Sequence, residues 1–181
     1  MKILQIIKMR ETLFMSDKKY DEISNRVYES YPNACILFID NVVNEDLLQE
    51  YEAKKTEIME QRGSVEELLL FHGTKHSLIN VIALNGFDPS KNVTSAYGKG
   101  TYFARDARYS SDYMKTADGD GISYMFLCKV LVGTKVLHSQ KHDALDYYNY
   151  VDNVHNTAIY VTPEPHTAYP NYIIALYKNA K

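Results

Sequence analysis

The chain has 181 residues, 45% of them hydrophobic, and a formal net charge of −3. That fits one domain with a real core, and it argues against a basic surface for nucleic acid or anionic lipid. Its only cysteines, Cys35 and Cys128, lack CxxC spacing, lie in apolar runs and read as buried free thiols, which suits a reducing, intracellular compartment.

The first residues, MKILQIIKMRETLF, are broken by Lys8 and Arg10 and carry no small-residue cleavage site, so they do not read as a signal peptide. Residues 1–18 are expected to be an N-terminal extension, with 1–14 dispensable, before a domain at 19–181. Tyr20, Ile23, Val27 and Tyr31 then fall at helical spacing, and Pro32 stops that helix. Ala34 to Ile39 reads as a buried strand. Asn44 can cap a second helix with Leu47, Leu48, Tyr51, Ile58 and Met59 on its apolar side, Glu50 paired to Lys54, and Gly63 at its end.

Leu68 to Phe71 is the next expected strand, halting at His72-Gly73. Ser77 is expected to cap a short helix closed by Asn85-Gly86. Residues 87–100 are polar and irregular. Gly100 to Ala104 reads as a short strand, Asp106 as the cap of a helix reaching Tyr113, and Ile122 to Val132 as a long buried strand before Gly133. A loop rich in His, Asp and Tyr precedes two further strands, Thr157 to Val161 and Tyr172 to Tyr177. Short helices followed by many strands argue for α+β with a largely antiparallel sheet, not a βαβ repeat. No run of about 18 apolar residues is present, so no membrane-spanning helix is expected.

Four fragments could carry chemistry. His72-Gly73-Thr74 ends a strand on the residue type that lets a ligand approach main chain; alone, it reads better as a core histidine beside a turn. Gly98-Lys99-Gly100-Thr101 precedes a strand and is not a phosphate loop, because the first glycine of that motif would fall at Val93 and a helix would have to follow. Ser110 and Tyr113 are three apart and would share a helix face, a hydroxyl beneath a ring suited to a planar carboxamide; an ordinary amphipathic helix explains them as well. His142, Asp143, Asp146 and Asp152 have no metal-ligand spacing, and Asp118 and Asp120 lack the rest of a calcium loop, so no metal is expected. The 16 tyrosines and absent tryptophan supply aromatic area with a polar handle.

Together, FIDNVVNEDLLQEYEAKK, LFHGTK, YGKGTYFARDARYSSDY, YMFLCKVLVG, YVDNV and AYPNYII resemble, in this order, the catalytic domain of the poly(ADP-ribose) polymerase family, the diphtheria-toxin-like ADP-ribosyltransferases. The resemblance covers about Asn33 to Tyr177 and tilts toward the mono-ADP-ribosyl-transferring branch. It implies an ADP-ribosyltransferase fold, a split antiparallel β-sandwich with short flanking helices. It also implies NAD+ as substrate. His72 would hold the adenosine-side ribose, and the Gly73 main chain and Ser110 would bind the nicotinamide carboxamide. Tyr113 would stack the nicotinamide ring, with Tyr102 closing the pocket. Thr74, Tyr97 and Ala104 would line the rest.

The departure is at the third position of the catalytic triad. Polymerising members place a glutamate there, whereas this chain reads Tyr172-Ile173-Ile174. Ile173 is favoured, and a slip of one to Ile174 stays open. A hydrocarbon does no acid–base work, so a single ADP-ribose is expected to go to a protein Asp or Glu, with nicotinamide released. Nucleic-acid ends are kept as a second acceptor class, and a catalytically silent NAD+-binding module is the main rival. A 2′-phosphotransferase acting on RNA fits poorly with an acidic chain. No helical regulatory domain is expected within residues 1–33, and a monomer with no membrane partner is expected.

Overall fold

The structure, a computed structural model, describes residues 9–92, 96–115, 121–139 and 147–177. The elements in chain order are β1 (Arg10–Thr12), α1 (Lys18–Ser30), β2 (Cys35–Val42), α2 (Glu45–Arg62), β3 (Glu66–Gly73), a 3-10 turn (His76–Leu78), α3 (Ile79–Asn85), a 3-10 turn (Pro89–Lys91), β4 (Thr101–Ala104), α4 (Ala107–Ser111), β5 (Ile122–Val132), β6 (Thr134–Val136), β7 (Tyr148–Val151), β8 (Ile159–Thr162) and β9 (Ala168–Tyr177). The strands order as β1-β2-β9-β5-β3-β4-β8-β7-β6, antiparallel throughout except β6–β7. This is the α+β class with a large, mostly antiparallel sheet. Among the described residues no helix is long and apolar enough to cross a membrane.

The sheet is continuous but nearly split. β3 pairs with β5 along its whole length, from Glu66↔Val132 to Gly73↔Met125. With β4 it shares one pair, Phe71↔Ala104. Side chains from both sides of this split meet in one core, where Leu70, Phe126, Cys128, Val130 and Ile173 pack with Phe103, Val151 and Tyr160. The opposite face of β5 and β9 is covered by α1 and α4, through Ile23, Val27 and Ala107 on Met125, Leu127 and Ile174.

Several elements follow from local chemistry. The Asn44 side chain accepts from the Leu47 N–H at 3.2 Å and caps α2. Gly63 ends it at φ 76°, a left-handed stop. Other expectations need correction. Lys54 bonds Glu57 and Glu164 rather than Glu50, which faces His166. Met59 is exposed, so the buried ridge of α2 is Tyr51 and Ile58. Cys35 is also exposed, because β2 alternates at its start and becomes buried only from Ile39. Ser77 lies inside the 3-10 turn rather than capping α3.

β9 begins earlier than its sequence suggests, upstream of Pro170. β2 pairs with it only as far as Tyr172, and on the β5 side the register shifts between Leu127 and Lys129. Pro170 sits at that irregularity, where its missing N–H removes no regular ladder bond. β1, β6 and β7 were not anticipated. Arg10–Thr12, placed by sequence in the extension, pairs with β2 from Arg10↔Val42 to Thr12↔Asp40.

Candidate active site

The split opens into a cavity of about 480 Å³ at the C-terminal end of β3, lined by His72, Gly73 and Thr74, by Thr101 to Ala104 of β4, and by residues of α3, α4 and the loop around Tyr97. This size is ordinary for a small-molecule site. His72, Gly73, Thr74, Tyr97, Tyr102, Ala104, Ser110 and Tyr113 all line it. Sequence reading spread these over some 40 residues, and the fold brings them together.

β3 does not stop at His72. It continues through Gly73, and the His72 side chain crosses the gap where β4 leaves the ladder. Nδ1 lies 2.8 Å from the Tyr102 carbonyl oxygen. A carbonyl only accepts, so Nδ1 carries the proton and Nε2 is left as an acceptor. Burial pushes the His72 pKa down, partly opposed by that hydrogen bond, so the ring is neutral at pH 7. Phe87 meets it edge-on at 5.0 Å and Phe103 at 5.6 Å, which fixes its plane.

Gly73 is required for a reason that spacing alone did not give. A Cβ built there would stand 1.9 Å from the Ser110 carbonyl oxygen and 3.3 Å from the Tyr113 Cβ. The α4 main chain occupies the space a side chain would need, so the wall carrying Ser110 and Tyr113 is seated directly on β3.

α4 is shorter than its sequence pattern. It ends at Ser111, and Tyr113 follows in a turn closed by its N–H donating to the Ser110 carbonyl at 3.1 Å. Asp106 stands at the N-cap without a side-chain cap bond. Instead Ser30 of α1 accepts from the Ala107 N–H at 2.8 Å, and the Asp106 carboxylate takes Arg105. Ser110 is buried. Tyr113 keeps 53% of its surface exposed, and its hydroxyl lies 3.0 Å from that of Tyr109.

Tyr102 spends its hydroxyl on the wall opposite. It donates to the Gly98 carbonyl at 2.7 Å and accepts from the Tyr97 N–H at 3.0 Å. Gly98, at φ 113°, packs on the Tyr150 ring so closely that a Cβ would stand 2.4 Å from it. Burial raises the Tyr102 pKa, so this phenol stays protonated.

Ile173 lies elsewhere. Cross-strand register sets His72, Phe126, Ile173 and Asp40 in one row over β3, β5, β9 and β2. Ile173 is 0% exposed, two strands from His72, and is not among the residues lining the cavity. It shares its face with Phe126 and Phe103, whereas Ile174 packs on the far face with Met125.

Sequence reasoning missed Phe87, which orients His72, and Tyr109, which lines the cavity beside Tyr113. The four-residue spacing of Tyr109 and Tyr113 was the available signal. Among the described residues no group of three or more His, Cys, Asp or Glu side chains could hold a metal; Asp118, Asp120, His142, Asp143 and Asp146 lie outside the described residues. Chemically, the cavity offers main chain at Gly73, a hydroxyl at Ser110, a flat ring at Tyr113 and an imidazole acceptor, with no carboxylate in the Ile173 row facing it.

Comparison with known proteins gives a consistent result. The family model "Poly(ADP-ribose) polymerase catalytic domain" matches residues 17–163. The chain is 34% identical over 181 residues to Protein mono-ADP-ribosyltransferase PARP14 of Homo sapiens, covering 92% of this chain and 10% of that protein. It is 33% identical to PARP12 of Mus musculus, covering 94% and 26%, and 30% identical to PARP11 of Homo sapiens, covering 86% and 55%. The chain therefore spans between a tenth and about half of these relatives' lengths.

Proposed function

The chain belongs to the poly(ADP-ribose) polymerase catalytic-domain family, and we propose that it transfers a single ADP-ribose from NAD+ to a protein carboxylate, releasing nicotinamide. The observation that carries this reading is the convergence of His72, Gly73, Ser110 and Tyr113 on one cavity. The cavity fits the substrate in kind. The Gly73 main chain and the Ser110 hydroxyl suit a carboxamide, the open face of Tyr113 suits its ring, and the His72 Nε2 suits a ribose hydroxyl that donates to it. Thr74, Tyr97 and Ala104 shape the remaining wall, and Tyr102 holds that wall through Gly98.

The reaction breaks the bond between nicotinamide and ribose C1. The electron pair leaves with the ring nitrogen, which neutralises the ring, and the sugar passes through an oxocarbenium-like centre. A carboxylate oxygen then bonds C1. This nucleophile is already ionised at pH 7, with a usual pKa near 4, so it needs no general base. Adding a second ADP-ribose would require a ribose hydroxyl to give up its proton, and Ile173 has no group to take it. We take 19–181 as the transfer domain and 1–18 as an extension, which contributes the edge strand Arg10–Thr12. Free thiols at Cys35 and Cys128 suit an intracellular setting.

Incubating the purified protein with labelled NAD+ and a cell lysate tests this. The expected result is label on protein as single units, removed by hydroxylamine as carboxylate esters are. A ladder of polymer would overturn the single-transfer reading, label on nucleic acid would move the acceptor class, and NAD+ binding with no transfer would mark a silent module.

A further inference from the structure

We propose that Lys75 and Lys115 form the station that binds the diphosphate of the dinucleotide, an inference that rests on the reading above. Both lysines line the cavity. Their backbones are joined by an isolated parallel bridge. The His76 N–H donates to the Lys115 carbonyl at 3.3 Å, and the Lys115 N–H donates to the Thr74 carbonyl at 3.4 Å. Two tertiary contacts therefore hold two cationic side chains on neighbouring main-chain positions.

Among the described residues no carboxylate pairs with either of them. Several lysines elsewhere in the fold have carboxylates: Lys19 has Glu22, Lys54 has Glu57 and Glu164, and Lys55 has Glu67. Lys91, also at the cavity, has Asp88 nearby. Among the described residues neither Lys75 nor Lys115 has an ion pair. Bridged backbones bring two like charges into one neighbourhood, and a ligand carrying two adjacent negative charges offsets their repulsion while gaining charge-assisted hydrogen bonds. His72, held neutral, cannot supply this charge.

Position agrees with the chemistry. Lys75 is two residues beyond Gly73, and Lys115 is two beyond Tyr113. Two extended residues span roughly 6–7 Å, about the span of the ribose that separates a nicotinamide ring from its first phosphate. The two lysines thus stand within about one sugar's length of the ring subsite, on two adjacent, bridged segments.

The test is the Lys75→Met/Lys115→Met double variant, which keeps side-chain length and removes both charges, beside a Lys75→Arg/Lys115→Arg control. ADP-ribose and a benzamide, which has no phosphate, are titrated by calorimetry, and transfer is followed against NAD+ concentration. The Met variant should bind ADP-ribose about 10-fold more weakly or worse and raise KM for NAD+ in step, while benzamide affinity holds and the Arg control retains most ADP-ribose affinity. Wild-type affinity for ADP-ribose should also fall more steeply with salt than that of the Met variant. Unchanged ADP-ribose binding in the Met variant would overturn the proposal, all the more if KM for an acidic acceptor rose instead. A parallel loss of benzamide binding would assign the lysines a merely structural role and overturn it too. Wild-type protein that bound neither ligand would overturn the dinucleotide reading itself, a distinct outcome.

Discussion

The two openings that flank the Phe71–Ala104 pair are built from the same strands and differ in what fills the gap. On the His72 side, the space between β3 and β4 is an apolar cavity. The contacts that seat its walls run through main chain, with the Ser110 carbonyl against Gly73 and the Tyr102 carbonyl on His72. On the Glu66 side, a cleft of about 410 Å³ is lined by Arg26, Glu29, Glu66, Arg105 and Asp106. There α1 closes the gap with side chains: Arg26 donates to the Leu69 carbonyl at 2.6 Å, and Arg105 pairs with Asp106 at 3.3 Å. Main-chain walls are rigid and specify a shape. Charged side chains in water adapt and specify little. One split therefore yields a selective cavity on one side and a solvated seam on the other.

The strongest way to break this contrast is Gly73→Ala. With no room for a Cβ, the α4 wall must move, and unfolding in urea should show a loss of about 3 kcal/mol or more. A tolerated substitution would mean that Ser110 is not seated on β3. His72→Ala should lower kcat/KM for NAD+ roughly 100-fold through lost positioning while far-ultraviolet circular dichroism is retained; full activity would dissolve the site. Tyr113→Ala should weaken NAD+ binding by about 1–3 kcal/mol, taking the magnitude of base–aromatic stacks, and titration by intrinsic fluorescence reads it directly.

A pH profile sharpens the same contrast. The His72 pKa is depressed in the folded state, so the unfolded chain binds the proton more readily. Stability from this group is present above the ordinary histidine value of about 6.5 and is lost as pH falls below it toward the folded value. Transfer should fail only at the lower end of that range, where pH nears the folded value and Nε2 becomes protonated, and His72→Gln should flatten the stability slope. The smallest effect is expected in the cleft. Arg105→Ala should change stability by no more than about 1 kcal/mol, since that pair is exposed, and should leave transfer rates within error; a large loss of transfer would show that the seam is functional.

Legibility in the sequence followed locality. Asn44, Gly63 and the Ile122–Val132 strand were readable because a cap, a stop and an apolar run depend on near neighbours. His72-Gly73 was visible as a motif, but the reason for the glycine was not, because the colliding carbonyl belongs to Ser110, 37 positions away in sequence. Asp106 did not cap its helix because Ser30, on another helix, accepts from the Ala107 N–H, and the helix stops at Ser111, short of Tyr113. β9 was shortened at Pro170 because the irregularity that accommodates the proline, an extra β9 residue, shows only in its pairing with β5. Phe87 gave no sign in its irregular stretch, since only the fold turns it toward His72.

Asn44 does more than start α2. Its amide nitrogen donates to the Ala83 and Leu84 carbonyls at the end of α3, at 3.0 and 3.1 Å, and its backbone N–H reaches the Tyr169 hydroxyl at 3.4 Å. One residue thus caps one helix, terminates another and touches β9. In folding terms, these three elements share a cooperative unit. Ile82 of α3 lines the cavity, so this wall cannot fray at its C-terminal end without also loosening the start of α2. Adaptation of the cavity to its ligand is then left to the opposite wall, where Tyr97 and Gly98 bond the Tyr102 hydroxyl and Gly98 packs on the Tyr150 ring.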